Sequence, residues 1–197
     1  KFQTYTPDTI TIDSDQEYFK INHGTIWDGK TLYELYKEAY MPWEWQPKLK
    51  EIAESLGLVC FSSPFDTTAA DFLEKMNVPA YKIASFENTH LPLIKEVAST
   101  GKPMIISTGM ASVAEMDEMV QTIRDAGCEK FILLKCTSTY PATPENSNVL
   151  TIPHMRKLFN CEVGLSDHTM GIGASVAAVA HGATVIEKHF TLRRADG

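Results

Sequence analysis

Short runs of apolar and β-branched residues recur about every 25 residues along this 197-residue chain, and a segment with helical periodicity follows each of them. The runs cover residues 58–62, 80–84, 104–107, 131–136, 162–165 and 184–188, with residues 1–5 as an earlier member. One strand, one helix and two loops fill such a period, so strand and helix must alternate and the strands must run parallel. Helix punctuation fits the same frame. Ser112 and Glu115 form a capping-box pair, and Gly57, Gly101, Gly127 and Gly182 stand where four helices should stop.

Parallel βα units close into a (β/α)8 barrel or open into a doubly wound sheet. No G-x-G-x-x-G follows a strand, which removes the main sign of a dinucleotide fold. Hydroxyls follow the strands instead: Ser62-Ser63, Ser85, Ser107-Thr108, Thr137-Ser138-Thr139 and Ser166. Serine and threonine are common in turns, which accounts for some of these positions. A hydroxyl after each of five successive strands favours a barrel whose mouth binds a phosphorylated ligand.

Two segments break the period. Residues 6–57 are too long for one connection and read as a loop insertion carrying two helices, an amphipathic one over 31–40 and another ending near Leu56. The aromatics Trp27, Trp43 and Trp45 in it either serve binding or pack the excursion down. At the other end Arg193-Arg194-Ala195-Asp196-Gly197 follows a strand directly, so the last barrel helix is expected to lie outside this chain. The chain also begins without Met, on an apolar and polar alternation, and reads as a piece of a longer protein.

Composition excludes several classes. With 44% hydrophobic and 22% charged residues the chain has the makings of a packed core rather than a disordered segment. The net charge of −7, without a Lys/Arg block, argues against nucleic acid and acidic membrane as partners, so an anionic ligand must meet a few local cations. No apolar run is long enough to span a bilayer, and residues 1–30 lack a signal pattern. Cys60, Cys128, Cys136 and Cys161 have no metal-ribbon or C-x-x-C spacing and read as reduced thiols of a cytoplasmic protein.

Residues two apart on a strand share a face, which couples Lys1 with Gln3, Ser85 with Glu87, Ser138 with Tyr140, Ser166 with His168 and Glu187 with His189. Such polar couples suit a ligand better than a packed barrel interior. Lys82 has the opposite parity to Ser85, so a bulge or an early strand end is required if both reach one site. His168 and His189, at the ends of consecutive strands, can share a divalent ion or simply hydrogen-bond within the mouth. Glu187 could be a ligand or the partner that fixes an imidazole tautomer. His23, His90, His154 and His181 read as surface residues. Lys1, Lys82, Lys135 and Lys188 are strand lysines that need an anion or a Schiff-base carbonyl if buried. Parity turns Lys188 away from the mouth toward solvent or a helix, leaving Lys1 and Lys82 to grip phosphate or carboxylate.

Lys1-Phe2-Gln3-Thr4, Phe61-Ser62-Ser63-Pro64-Phe65-Asp66, Tyr81-Lys82-Ile83-Ala84-Ser85, Ser107-Thr108-Gly109-Met110, Gly164-Leu165-Ser166-Asp167-His168-Thr169 and Glu187-Lys188-His189-Phe190 together resemble the sialic acid synthases, in order through nearly the whole chain. Residues 3–8, Trp27-Asp28, residues 32–36 and residues 134–141 are most similar to the pseudaminic acid branch. The resemblance implies a single catalytic (β/α)8 barrel over 1–197, truncated by its first strand and last helix, with the family's C-terminal antifreeze-like domain outside it. It implies condensation of phosphoenolpyruvate with an acylamino sugar aldehyde, 2,4-diacetamido-2,4,6-trideoxy-altrose, to a nine-carbon 2-keto acid with release of phosphate. His168 and His189 would hold Mn²⁺ or Mg²⁺. Lys1, Lys82, Ser63, Ser85, Ser107, Ser138 and Ser166 would bind phosphoenolpyruvate, Gln3, Glu87 and Tyr140 would face the sugar, and Glu87 would be the general acid or base. The longer protein would be a homodimer.

Lys135 and Phe86 depart from the neuraminate pattern, which uses His and Gly there, and are expected to reshape the sugar pocket. Three alternatives remain open: an N-acetylneuraminate synthase acting on N-acetylmannosamine, a Schiff-base aldolase using Lys82 or Lys1, and a non-catalytic sugar-phosphate binding or assembly module.

Overall fold

The computed structural model describes residues 1–22, 24 and 26–193. His23 and the end of the chain from Arg194 onward, both read above, lie outside the described residues. The chain divides into two compact units, Lys1–Tyr81 and Lys82–Gly197.

In the first unit, strands β1 (Phe2–Thr4) and β2 (Ser62–Pro64) pair in parallel with Gln3 opposite Ser63, and β2 meets the start of β3 (Tyr81–Ile83) at Tyr81. The expected strand over 58–62 is displaced toward its carboxyl end. Leu58 and Val59 are 60% and 72% exposed and precede the pairing, so apolar character there reflects an uncovered approach rather than a strand. Between β1 and β2 lie helices α1 (Pro7–Ile10), α2 (Leu32–Ala39) and α3 (Gln46–Ser55). The second and third match the two expected helices. Thr31 caps α2 with Glu34 reaching back, as a capping box requires. Helix α4 (Thr67–Lys75) starts on Asp66, whose carboxylate accepts from Thr68 N and Ala69 N.

Of the three tryptophans of the long excursion only Trp43 packs down, whereas Trp27 and Trp45 are 44% and 58% exposed. Trp43 lies 5.0 Å from Phe72 and donates to the Tyr5 carbonyl, and Tyr5 meets Tyr36 and Phe65 edge-on. A buried Thr4–Gln46–Ser62 hydrogen-bond chain closes α3 onto the two strands.

The second unit continues with the rest of β3, then β4 (Met104–Ser107), β5 (Phe131–Cys136), β6 (Glu162–Asp167) and β7 (Ile186–Lys188), side by side in chain order. The pairings β4–β5, β5–β6 and β6–β7 are parallel. A doubly wound sheet reverses its strand order at a switch point, and these strands do not. Helices α5 (Leu91–Ser99), α6 (Val113–Asp125), α7 (Thr151–Phe159) and α8 (Gly173–Ala180) connect them. The Ser112–Glu115 capping box is present, and the four helix-stopping glycines all have positive φ, from 69° to 92°.

Fully buried Leu93, Ile94, Met104, Ile106, Met119, Ile123, Leu133 and Ile152 form the core of this unit. Each such side chain contributes about 1.5–3 kcal/mol by leaving water. None of the described helices is long and apolar enough to cross a membrane.

Candidate active site

Register decides which strand residues share a face. Cys136 is opposite Ser166, and Ser166 is opposite Glu187, so these three project from one face. Lys135, Leu165 and Ile186 form the preceding row and project from the other face, followed by Asp167 and Lys188. Lys135 therefore points away from the row that carries Ser166 and Glu187. Its buried ammonium donates to Thr137 Oγ1, and burial lowers its pKa.

On the Ser166 side, Lys82 is 2% exposed. Its Nζ donates to Ser107 Oγ at 2.7 Å and to its neighbour's carbonyl at Ile83, and lies 3.6 Å from Glu187 Oε2. Ser166 Oγ donates to that same Glu187 oxygen at 2.8 Å. Buried Asn88 holds the Ser107 carbonyl in turn. Lys82, Ser107 and Ser166 thus converge as expected, with Glu187 between them as a counter-ion.

The strand parity applied to Ser85 and Glu87 fails, because β3 ends at Ile83 and residues Ser85–Glu87 form a 3₁₀ turn. This early strand end removes the parity conflict between Lys82 and Ser85. The same holds for Ser138 and Tyr140, which lie beyond the end of β5 in an irregular segment before the cis Tyr140–Pro141 bond. The Ser85 and Ser138 hydroxyls close on Gly109. A Cβ there would meet Ser138 Oγ and come within 2.8 Å of Ser85 Oγ, so only glycine fits.

The carboxyl group of Glu87 has its Oε2 buried without a hydrogen-bond partner among the described residues. Burial pushes its pKa up to about 7, against the opposing pull of a backbone hydrogen bond and the Lys82 charge.

His168 and His189 follow β6 and β7 directly. Their rings lie 5.3 Å apart, and Tyr140 covers both at 4.3 and 5.7 Å. His168 Nδ1 is 2.9 Å from the Thr137 carbonyl, which can only accept, so that nitrogen carries the proton and, when the ring is neutral, Nε2 presents the lone pair. This is the tautomer of a metal-ligating imidazole, fixed for His168 by Thr137. Cys136 Sγ lies 3.9 Å from the same Nδ1 and 3.6 Å from Ser138 Oγ. Burial opposes ionisation of this thiol, yet His168, Ser85 and Ser138 lower its pKa to about 7. Burial likewise works to lower the His168 pKa, and Cys136, the Thr137 carbonyl and Glu187 raise it overall.

The two imidazoles fit a shared divalent ion, with no third His, Cys, Asp or Glu completing a ligand cluster among the described residues. Water and substrate oxygens would complete such a shell. Sequence reasoning gave no role to Asn88, read Cys136 only as a reduced thiol and placed Thr137 in the hydroxyl ring without its carbonyl's hold on His168; Cys136 could have been found from its parity with Ser166 once register was known.

In the first unit, Ser63 is buried with Oγ lacking a hydrogen-bond partner among the described residues, whereas Lys1 and Gln3 are exposed. His90, whose Nδ1 caps α5, and His154 and His181 are exposed surface residues as read. Lys188 is turned away from the Ser166 row and exposed, as read, and its ammonium also pairs with Asp167. A cavity of about 800 Å³, lined by Met104, Arg124, Phe131 and Glu162 among others, opens at the amino-terminal ends of β4 to β6, away from the histidines.

Parallel βα units ending in a lysine, a row of hydroxyls, a buried carboxyl group and paired imidazoles define an α/β protein with a polar, ionisable site at its strand ends. The chain belongs to the NeuB family, whose model matches residues 1–197. It is 46% identical to the pseudaminic acid synthase of Campylobacter jejuni over 98% of its own length and 56% of that protein. It is 44% identical to the pseudaminic acid synthase of Helicobacter pylori, over 98% and 57%. The spore coat polysaccharide biosynthesis protein spsE of Bacillus subtilis superposes with a TM-score of 0.80 at 34% identity, covering 99% of this chain and 52% of that one. The chain thus spans little more than half the length of the curated relatives it matches.

Proposed function

We propose that this chain is the catalytic part of a pseudaminic acid synthase, built on a truncated (β/α)8 barrel. The enzyme would join phosphoenolpyruvate to the aldehyde of 2,4-diacetamido-2,4,6-trideoxy-altrose and release phosphate. The observation that carries the reading is the pairing of His168 and His189 in the same unit, and on the same strand ends, as Lys82, Ser107 and Ser166. Unbroken strand order supports the barrel, and the four free thiols suit a reducing cytoplasm.

Lys82 supplies the charge for the substrate's phosphate or carboxylate, with Ser107, Ser166, Ser85 and Ser138 as hydroxyl partners. Lys82 donates to the Ile83 carbonyl and Ser107 and lies 3.6 Å from Glu187, surroundings that favour its charged form and anion binding over Schiff-base chemistry. In this reading Tyr140 faces the sugar. A divalent ion, Mn²⁺ or Mg²⁺, held by His168 and His189 would supply Lewis-acid polarisation of the aldehyde.

Glu87 manages the protons. When the methylene carbon of phosphoenolpyruvate bonds to the aldehyde carbon, the developing alkoxide takes a proton from the Glu87 carboxyl group. The carboxylate so formed takes a proton from the water that adds to the former enol carbon; the carbon–oxygen bond to phosphate then breaks with its electron pair on the phosphate, which also takes the proton of the new hydroxyl and leaves the 2-keto group. A pKa of about 7 suits both transfers near neutral pH. The longer protein would act as a homodimer.

Phosphate release from phosphoenolpyruvate with Mn²⁺ and the diacetamido sugar, faster than with N-acetylmannosamine, is the expected result. Release only with N-acetylmannosamine would move the protein to the neuraminate branch. No release with either sugar would overturn the reading.

A further inference from the structure

Behind the two imidazoles, on the opposite face of the sheet, lies a second polar cluster that the reaction above does not use. Asp167 is 2% exposed, yet both of its oxygens are satisfied. Oδ1 accepts from Thr169 N at 2.9 Å and Thr169 Oγ1 at 2.7 Å. Oδ2 accepts from Ser175 Oγ at 2.6 Å and from Lys188 Nζ at 2.9 Å. Lys188 Nζ also donates to the Thr169 carbonyl at 2.7 Å.

Position in the chain gives this cluster its meaning. Asp167 precedes His168, Lys188 precedes His189, and the two are opposite each other in the β6–β7 register. The ion pair is therefore the last paired rung before the imidazoles. The residues on both sides of His168 are pinned by it, Asp167 directly and Thr169 at its amide, hydroxyl and carbonyl. The His168 carbonyl is held from the other side by Ala142 N at 2.9 Å. A carboxylate this deeply buried must be paired, so the two strand ends cannot separate without exposing an uncompensated charge.

We propose that Asp167 and Lys188 are positioning residues that set the spacing and orientation of His168 and His189, and through them the affinity for a divalent ion. They touch no substrate. The consequence for metal affinity rests on the function proposed above; the consequence for ring geometry does not.

The test compares the unaltered protein with Lys188→Met, Lys188→Arg, Asp167→Asn and the Asp167→Asn/Lys188→Met double variant. The double variant leaves no unpaired buried charge and serves if a single variant fails to fold. Two readouts are taken, Mn²⁺ binding by titration calorimetry and the metal-free imidazole resonances by NMR. Expected for Lys188→Met, and for the double variant, are at least tenfold weaker Mn²⁺ binding and displaced resonances of His168 and His189. His90, His154 and His181 should be unmoved, inorganic phosphate affinity should stay within about twofold, and Lys188→Arg should restore both readouts. Unmoved His168 and His189 resonances would overturn the positioning role, as would Mn²⁺ affinity within twofold of the unaltered protein. Failure of the unaltered protein to bind Mn²⁺ would overturn the metal part of the proposed function, with the resonances still deciding the positioning role.

Discussion

Lys82 Nζ and Glu187 Oε2, from strands β3 and β7, lie 3.6 Å apart in a buried setting, and the same carboxylate oxygen receives the hydroxyl of Ser166. Lys82 is thus already partly neutralised by the protein. In the function proposed above, a phosphate approaching Lys82 would compete with Glu187.

Glu187→Gln is expected to tighten inorganic phosphate binding by about three- to tenfold, because the amide keeps the Ser166 hydrogen bond and removes the opposing charge. Lys82→Met should weaken it about 10- to 100-fold, the size of a lost charge-assisted hydrogen bond. Titration calorimetry reads both, and looser binding in Glu187→Gln would show that the carboxylate assists the anion site instead of opposing it.

Glu87 links pH to stability with a definite sign. Its folded pKa of about 7 lies above the unfolded value, so the folded state binds more protons across roughly pH 4.5 to 7 and stability from this group falls as pH rises through that window. Glu87→Gln is expected to flatten that slope in urea melts and to lower turnover by about 10²- to 10⁴-fold. Wild-type turnover should have a pH limb near 7 that the variant lacks.

Asp167 works in the opposite direction. Burial would raise its pKa, but hydrogen bonds from Ser175, Lys188 and Thr169 bring it down to about 2. The stability it contributes is present above the ordinary carboxylate pKa near 4 and is lost as pH falls toward 2. Urea midpoints measured from pH 5 to 2 should fall less steeply in Asp167→Asn than in the unaltered protein.

Gly109→Ala tests the close approach of Ser85 and Ser138. The added methyl group has to displace both hydroxyls, at a cost of about 1–3 kcal/mol, and phosphate affinity should fall with it. Ser112→Ala is the control. Loss of that cap lowers stability by about 1 kcal/mol and should leave ligand binding unchanged.

The sequence was most legible where one local rule acted alone. Strands β4 and β5 fall on the expected residues, and the Ser112–Glu115 box forms as read. Residues 58–62 misled because an apolar run does not say whether it is paired, and Leu58 and Val59 are largely exposed. Alternation was the wrong rule for Ser85 and Glu87, because it cannot continue past a strand that ends at Ile83. The Asp167–Lys188 pair was hidden for another reason. It depends on how far β6 is offset from β7, a long-range quantity that no local pattern encodes.

The bond between His168 and the Thr137 carbonyl links two loops far apart in the chain, and it settles a chemical choice before any ligand arrives. Folding, not encounter, selects which nitrogen faces outward. An incoming ion would find its first donor already oriented, without a slow isomeric rearrangement between arrival and capture.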